Sequence, residues 1–120
     1  MRALVVDDSS TMRKILALTL KRRSFEVLEA KNGLDALTVL DNSDSVDLVL
    51  LDWNMPEMDG LELLTRVRQN QKFDAIKIMM VTTETSLGEM SKALAVGANE
   101  YIMKPFTSDI VITKLELLGF

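Results

Sequence analysis

Ala3-Leu4-Val5-Val6-Asp7-Asp8-Ser9-Ser10 is the stretch that decides the fold. Four apolar residues in unbroken succession read as a strand buried on both faces, as in a parallel sheet covered by helices. The run ends on two carboxylates and two hydroxyls, and Met12, Ile15, Leu16 and Leu20 then recur at helical spacing. Ser9 or Ser10 supplies the N-cap of that helix, and Lys21-Arg22-Arg23 suits the negative end of its dipole.

The same alternation continues along the chain. Residues 25–30 read as a second strand, Asn32-Gly33 as a turn, and Leu34, Leu37 and Leu40 as the inner face of a second helix. Residues 47–51 form the third strand and residues 52–60 a loop with a proline. Asp59 and Glu62 then make a capping box for a helix carrying Leu63, Leu64 and Val67. Residues 76–81 are the fourth strand. Ser86 and Glu89 offer a further capping box, Met90 and Leu94 an inward face, and Gly97 a helix stop. Glu100–Met103 is a short fifth strand, and a last helix follows Lys104-Pro105-Phe106-Thr107, with Val111, Lys114, Leu115 and Leu118 on one stripe. Five strands alternating with five helices predict an α/β fold, a doubly wound parallel sheet with helices on both faces. At 120 residues the length fits one domain, residues 1–120, by the prior of about 100–200 residues per domain.

Composition removes several kinds of chemistry. The chain has no His and no Cys, which excludes His-based triads, imidazole bases, disulfides and Cys or His zinc sites. Fourteen Lys and Arg against eighteen Asp and Glu leave a net charge of −4, which disfavours nucleic acid as a partner. The longest apolar runs fall far short of the ~20 residues of a membrane span, and the N-terminus lacks a signal-peptide core. The expected location is the cytoplasm, with no membrane partner.

In open parallel sheets, ligands bind beyond the carboxyl ends of the strands where the strand order reverses. The residues at those ends are Asp7-Asp8, Asp52, Thr82 and Lys104. Three carboxylates in one cleft need a counter-charge, and an all-oxygen donor set without His or Cys suits magnesium. A hard cation, a carboxylate, a lysine and a hydroxyl together suit a phosphoryl group, whose transfer depends on positioning and charge neutralisation.

Val5-Val6-Asp7-Asp8-Ser9, the segment from Asp52 through Trp53, Asn54 and Pro56 to Gly60, Val81-Thr82-Thr83-Glu84, and Tyr101-Ile102-Met103-Lys104-Pro105-Phe106 resemble the receiver domain of bacterial two-component response regulators. The resemblance runs from the first strand to Leu118 and is greatest in character to the single-domain chemotaxis members. It implies a flavodoxin-like strand order, 2-1-3-4-5, and a phosphorylation-activated switch rather than a conventional enzyme. Asp52 would be the phospho-acceptor and magnesium the cofactor. Asp8 and Asp52 would ligate the metal directly, Asp7 through water and Asn54 through its backbone carbonyl. Lys104 would pair with the phosphoryl oxygens. Thr82 and Tyr101 would be the switch residues, carrying the change to the fourth helix, fifth strand and fifth helix. Asn54, Thr83 and Glu84 match positions that tune the lifetime of the phosphate. Thr83 is bulkier than the Ala or Gly common there, which implies narrower access to Asp52. The implied partners are a histidine kinase as phosphodonor, a phosphatase, and a protein target such as the flagellar motor switch. A phosphorelay or phosphate-sink receiver, the receiver part of a larger regulator, and a small magnesium-dependent phosphatase are the alternatives.

Each of these residues also has a plain structural reading. An Asp pair after a strand caps helices, Asp52 can open a turn, Thr82 is a β-former, most lysines such as Lys104 are solvated, and Tyr101 can simply pack on a helix. Asp59 is read as a structural cap. Trp53 is expected partly exposed near the site, Met55 and Met58 as an exposed pair, the remaining methionines mostly as core, and Ile112 as a possible extension of an apolar surface. The Lys104-Pro105 bond is a candidate for the cis form.

Overall fold

The computed structural model describes residues 1–43, 45–83 and 87–120. Within them the strands are β1 (Arg2–Val6), β2 (Glu26–Ala30), β3 (Leu48–Leu51), β4 (Lys77–Thr82) and β5 (Glu100–Met103). They alternate with helices α1 (Ser10–Arg22), α2 (Gly33–Asn42), α3 (Gly60–Arg68), α4 (Leu87–Val96) and α5 (Ser108–Leu117). A 3-10 turn, Gln71–Phe73, leads into β4. All pairings are parallel, in the order β2-β1-β3-β4-β5. This is the doubly wound order that the sequence resemblance implies, and it puts the reversal between β1 and β3. Among the described residues no helix is long and apolar enough to cross a membrane.

The period of two along each strand divides the core into two layers. Leu4, Val6, Val49, Leu51, Ile78, Met80 and Tyr101 face one side, where they meet Ala36 and Leu40 of α2, Leu63, Leu64 and Val67 of α3, and Ala93 of α4. Ala3, Val5, Leu48, Leu50, Met79, Val81 and Ile102 face the other, against Leu16 and Leu20 of α1 and Val111 and Leu115 of α5. Central strands buried on both faces therefore carry apolar residues at every position.

Helix ends follow the capping chemistry with some shifts. Ser9, not Ser10, caps α1 by accepting from the Met12 N–H at 3.2 Å. Asn32 caps α2 by accepting from the Asp35 N–H at 2.8 Å, so Gly33 is the first helical residue rather than half of a free turn. Asp59 accepts from the Glu62 N–H at 2.9 Å, but Glu62 turns to Arg66 at 3.2 Å instead of closing a reciprocal box. Gly97, at φ +134°, ends α4. The Ser86 cap lies outside the described residues.

The inward faces of α2 and α4 differ from the expectation based on leucines. Leu40 is fully buried and Met90 packs against the core as expected, but Leu34 and Leu94 are exposed and the small residues Ala36 and Ala93 are fully buried in their stead. A small residue lets the helix axis come close to the sheet, so the contact stripe runs through alanine and leaves a neighbouring leucine outside. Met103 is also exposed, and Ile112 is only partly buried while Ile110 is exposed.

Candidate functional site

Asp7 and Asp52 are neighbours because β1 and β3 are. Val6 is in register with Leu51, and the next residue of each strand projects past the sheet edge. Backbone bonds extend the pairing by one step: the Asp52 N–H donates to the Val6 carbonyl at 2.9 Å and the Asp7 N–H to the Ala30 carbonyl at 3.2 Å. One carboxylate oxygen from each of Asp7, Asp8 and Asp52 lies within 4.8 Å of the others. Asp7 and Asp52 are buried and Asp8 is exposed. The trio therefore has a dry base and a wet rim.

Lys104, just past β5, reaches across this base. Its Nζ donates to Asp7 Oδ2 at 2.8 Å and stands 3.6 Å from Asp52 Oδ1. The Lys104 N–H donates to the Thr82 carbonyl at 2.8 Å, which ties the ends of β5 and β4 together. The Lys104-Pro105 peptide is cis, as the sequence suggests. Thr82 is fully buried at the end of β4, and Tyr101, in register with Met80, is buried in the layer under α2, α3 and α4.

The electrostatics of the cleft are unbalanced. Three carboxylates against one ammonium leave a formal excess of two negative charges when all are ionised. Burial pushes the Asp52 carboxyl above its ordinary value, Lys104 pulls it down, Asp7 and Asp8 push it up, and the Asn54 N–H bond pulls it down. A divalent cation would restore balance, and the donor set of oxygens only is chemically matched to magnesium.

Asn54 and Thr83 flank the cleft at the surface. The Asn54 Nδ2 donates to Thr83 Oγ1 at 3.4 Å, joining the loops after β3 and β4. Glu84 lies outside the described residues. Asp59 takes the structural role expected of it at the head of α3.

The loop after Asp52 differs from the sequence expectation. Trp53, Met55 and Met58 are all buried, at 7%, 8% and 4% exposure, where partial or full exposure was anticipated. Trp53 continues the odd-numbered register of Val49 and Leu51 beyond the strand end and enters the same apolar layer. Extending the period-two pattern by one residue finds it. Met58 packs onto Gly33 at the start of α2, so the loop closes the end of that layer instead of projecting from it.

Sequence reading missed Arg13. Its Nη1 donates to the Asp7 carbonyl at 2.6 Å and its Nε to Glu29 at 3.2 Å. The available signal was its place in the first half of α1, where the helix dipole disfavours a cation.

A doubly wound sheet bearing an acidic trio and a lysine at its switch point defines the receiver class of signalling domain. The chain belongs to the response regulator receiver domain family, whose model matches residues 3–116. It is 48% identical to chemotaxis protein CheY1 of Helicobacter pylori over 119 residues, which covers 98% of this chain and 96% of that one. The Campylobacter jejuni chemotaxis protein CheY homolog is 49% identical over 117 residues, covering 97% and 90%. Among solved structures, Vibrio cholerae chemotaxis protein CheY4 superposes with a TM-score of 0.90 at 34% identity, covering 97% of this chain and 96% of that one. A CheY-like receiver domain from Methanospirillum hungatei superposes at 0.89 with 30% identity, covering 98% and 91%. The chain is thus a CheY-like receiver domain.

Proposed function

We propose that this receiver is a phosphorylation-activated switch of a chemotaxis pathway, with Asp52 as the phospho-acceptor. The observation that carries this reading is Lys104 Nζ standing between Asp7 and Asp52, 2.8 Å and 3.6 Å away, beneath an acidic trio at the switch point of the sheet.

These 120 residues include no histidine, so the phosphohistidine donor is that of a histidine kinase outside them. An Asp52 carboxylate oxygen attacks phosphorus, an O–P bond forms, and the P–N bond to the donor imidazole breaks as the imidazole takes up a proton. Asp7, Asp8 and Asp52, with the Asn54 carbonyl, would hold magnesium, and its exposed rim at Asp8 leaves room for the waters that this ion keeps. When bound, magnesium supplies neutralisation of the charge gathering on the phosphoryl oxygens.

Lys104 is already in place to exchange its contact with Asp52 for a phosphoryl oxygen, a charge-assisted bond. Thr82, at the end of the adjacent strand, offers its hydroxyl to another. Tyr101 occupies a buried position and would respond by changing rotamer, transmitting the event to α4, β5 and α5. The added phosphate brings about −1.5 to −2 charge into the cleft, and the output is a changed affinity for a protein target. The chemotaxis names of the relatives support a target in that pathway, which we take to be the flagellar motor switch. A phosphatase would reset the domain. Asn54, Thr83 and Glu84 would tune access and lifetime, so Thr83→Ala should speed labelling by a small phosphodonor.

The test is to incubate the purified chain with acetyl phosphate and magnesium chloride and measure the intact mass. The wild type should take up one phosphoryl group and Asp52→Asn none. An unlabelled wild type, or a stoichiometrically labelled Asp52→Asn, would overturn the reading.

A further inference from the structure

We infer that Arg13 is a positioning residue for the acidic pair, holding the Asp7–Asp8 peptide so that the Asp8 carboxylate stays within reach of the other two. The inference rests on the magnesium reading given above.

Asp7 is held by its own contacts. Its N–H donates to the Ala30 carbonyl at 3.2 Å, Oδ1 accepts from the Ser9 N–H at 2.9 Å and Oδ2 from Lys104 at 2.8 Å. Asp8 is exposed, so the direction of its side chain depends on its backbone. The carbonyl oxygen of Asp7 lies in the same planar unit as the N–H of Asp8. Fixing that oxygen therefore fixes ψ of Asp7 and the N–Cα axis of Asp8, and with the next peptide anchored by the Ser9 N–H on Asp7 Oδ1 the Cα–Cβ direction of Asp8 is set from both sides. Arg13 does this at 2.6 Å from α1 while Glu29 of β2 orients its guanidinium at 3.2 Å. The Arg13 side chain is only 18% exposed, and a planar fork can serve two acceptors where a lysine serves as a point charge.

Position and charge make opposite predictions here. Arg13 is a cation beside a cation site, so on charge alone its removal should tighten magnesium binding. As a positioning residue, its loss should weaken binding, on the order of tenfold for a group that supports metal ligands.

Magnesium chloride is titrated into the wild type, Arg13→Gln and Arg13→Lys, with calorimetry and Trp53 emission as readouts. Binding about tenfold weaker in Arg13→Gln, and weakened also in Arg13→Lys despite its retained charge, is the expected result. Equal or tighter binding by Arg13→Gln, with the wild type binding normally, overturns the inference and leaves the metal site standing. If Arg13→Gln lacks a cooperative thermal melt, Arg13→Lys decides: affinity equal to the wild type overturns the inference. A wild type that binds no magnesium overturns the metal site and this inference together.

Discussion

Gly60 lies against the backbone of Asp52 so closely that a Cβ on Gly60 would overlap the Asp52 carbonyl oxygen and stand 2.8 Å from the Trp53 Cα. The Gly60 N–H donates to the Trp53 carbonyl at 2.8 Å, so the loop from Asp52 closes on itself at the first residue of α3. The proposed acceptor is thereby held by backbone packing from behind. Neither atom in the overlap belongs to a flexible side chain.

Gly60→Ala should accordingly destabilise the fold by about 2–3 kcal/mol through overpacking and slow phosphoryl uptake at Asp52. Urea denaturation measures the first and the rate of acetyl phosphate labelling the second. A variant of wild-type stability and labelling rate would show that the loop accommodates the methyl group.

Lys104 compensates two buried carboxylates, so its loss should cost more than the loss of a surface ion pair. Lys104→Met leaves Asp7, at 2% side-chain exposure, without its ammonium, and the expected cost is about 3 kcal/mol. Magnesium should return part of this, because a ligand that binds only the folded chain stabilises it by mass action. Thermal melts with and without magnesium chloride read both effects.

The raised pKa of Asp52 ties stability to pH. Above the ordinary value of 3.8 the unfolded chain has lost this proton, while the folded chain retains it up to a higher pH because of burial. The protonated group thus stabilises the fold below 3.8, and that contribution is lost as pH rises through the window between the two values. Asp52→Asn cannot ionise. Its urea midpoint relative to the wild type should rise through this window and then level off. A constant difference from pH 3 to pH 7 would contradict the assignment.

Arg68 ties together the ends of several elements at the opposite edge of the sheet. Its guanidinium donates to the carbonyls of Gly97, Phe73 and Ile76 at 3.0, 3.2 and 2.7 Å and to Asn99 Oδ1 at 2.9 Å. Bonds to charged donors contribute about 1.5–3 kcal/mol each before sharing, and Arg68→Ala should lose about 3 kcal/mol. Arg68→Lys should recover little, because an ammonium cannot match four acceptors spread around a planar fork. Recovery close to wild type in a denaturation curve would argue against this geometry.

Periodicity and end signals in the sequence determine the element order, the parallel sheet and the strand-end positions of Asp7, Asp8, Asp52, Thr82 and Lys104. These are local properties: unbroken apolar runs and polar residues where they stop. The sequence patterns also distinguish Asp59 as a cap from Asp52 as a cleft residue, since only the former is followed at once by a helix.

Tertiary packing alone decides the rest. Met55 and Met58 are buried because the loop folds over the apolar layer beside α2, and nothing in a loop's composition encodes where it folds. Ala36 and Ala93 lie on the inner stripes, Ala36 beside the buried Leu40, while Leu34 and Leu94 lie outside, because packing against the sheet sets how each helix is turned about its axis. Arg13 and Arg68 find their roles by reaching carbonyls on other elements, Asp7 six residues away and Gly97 twenty-nine away. A backbone carbonyl is present at every residue and carries no mark in the sequence, so only the assembled fold shows which of them a guanidinium will reach.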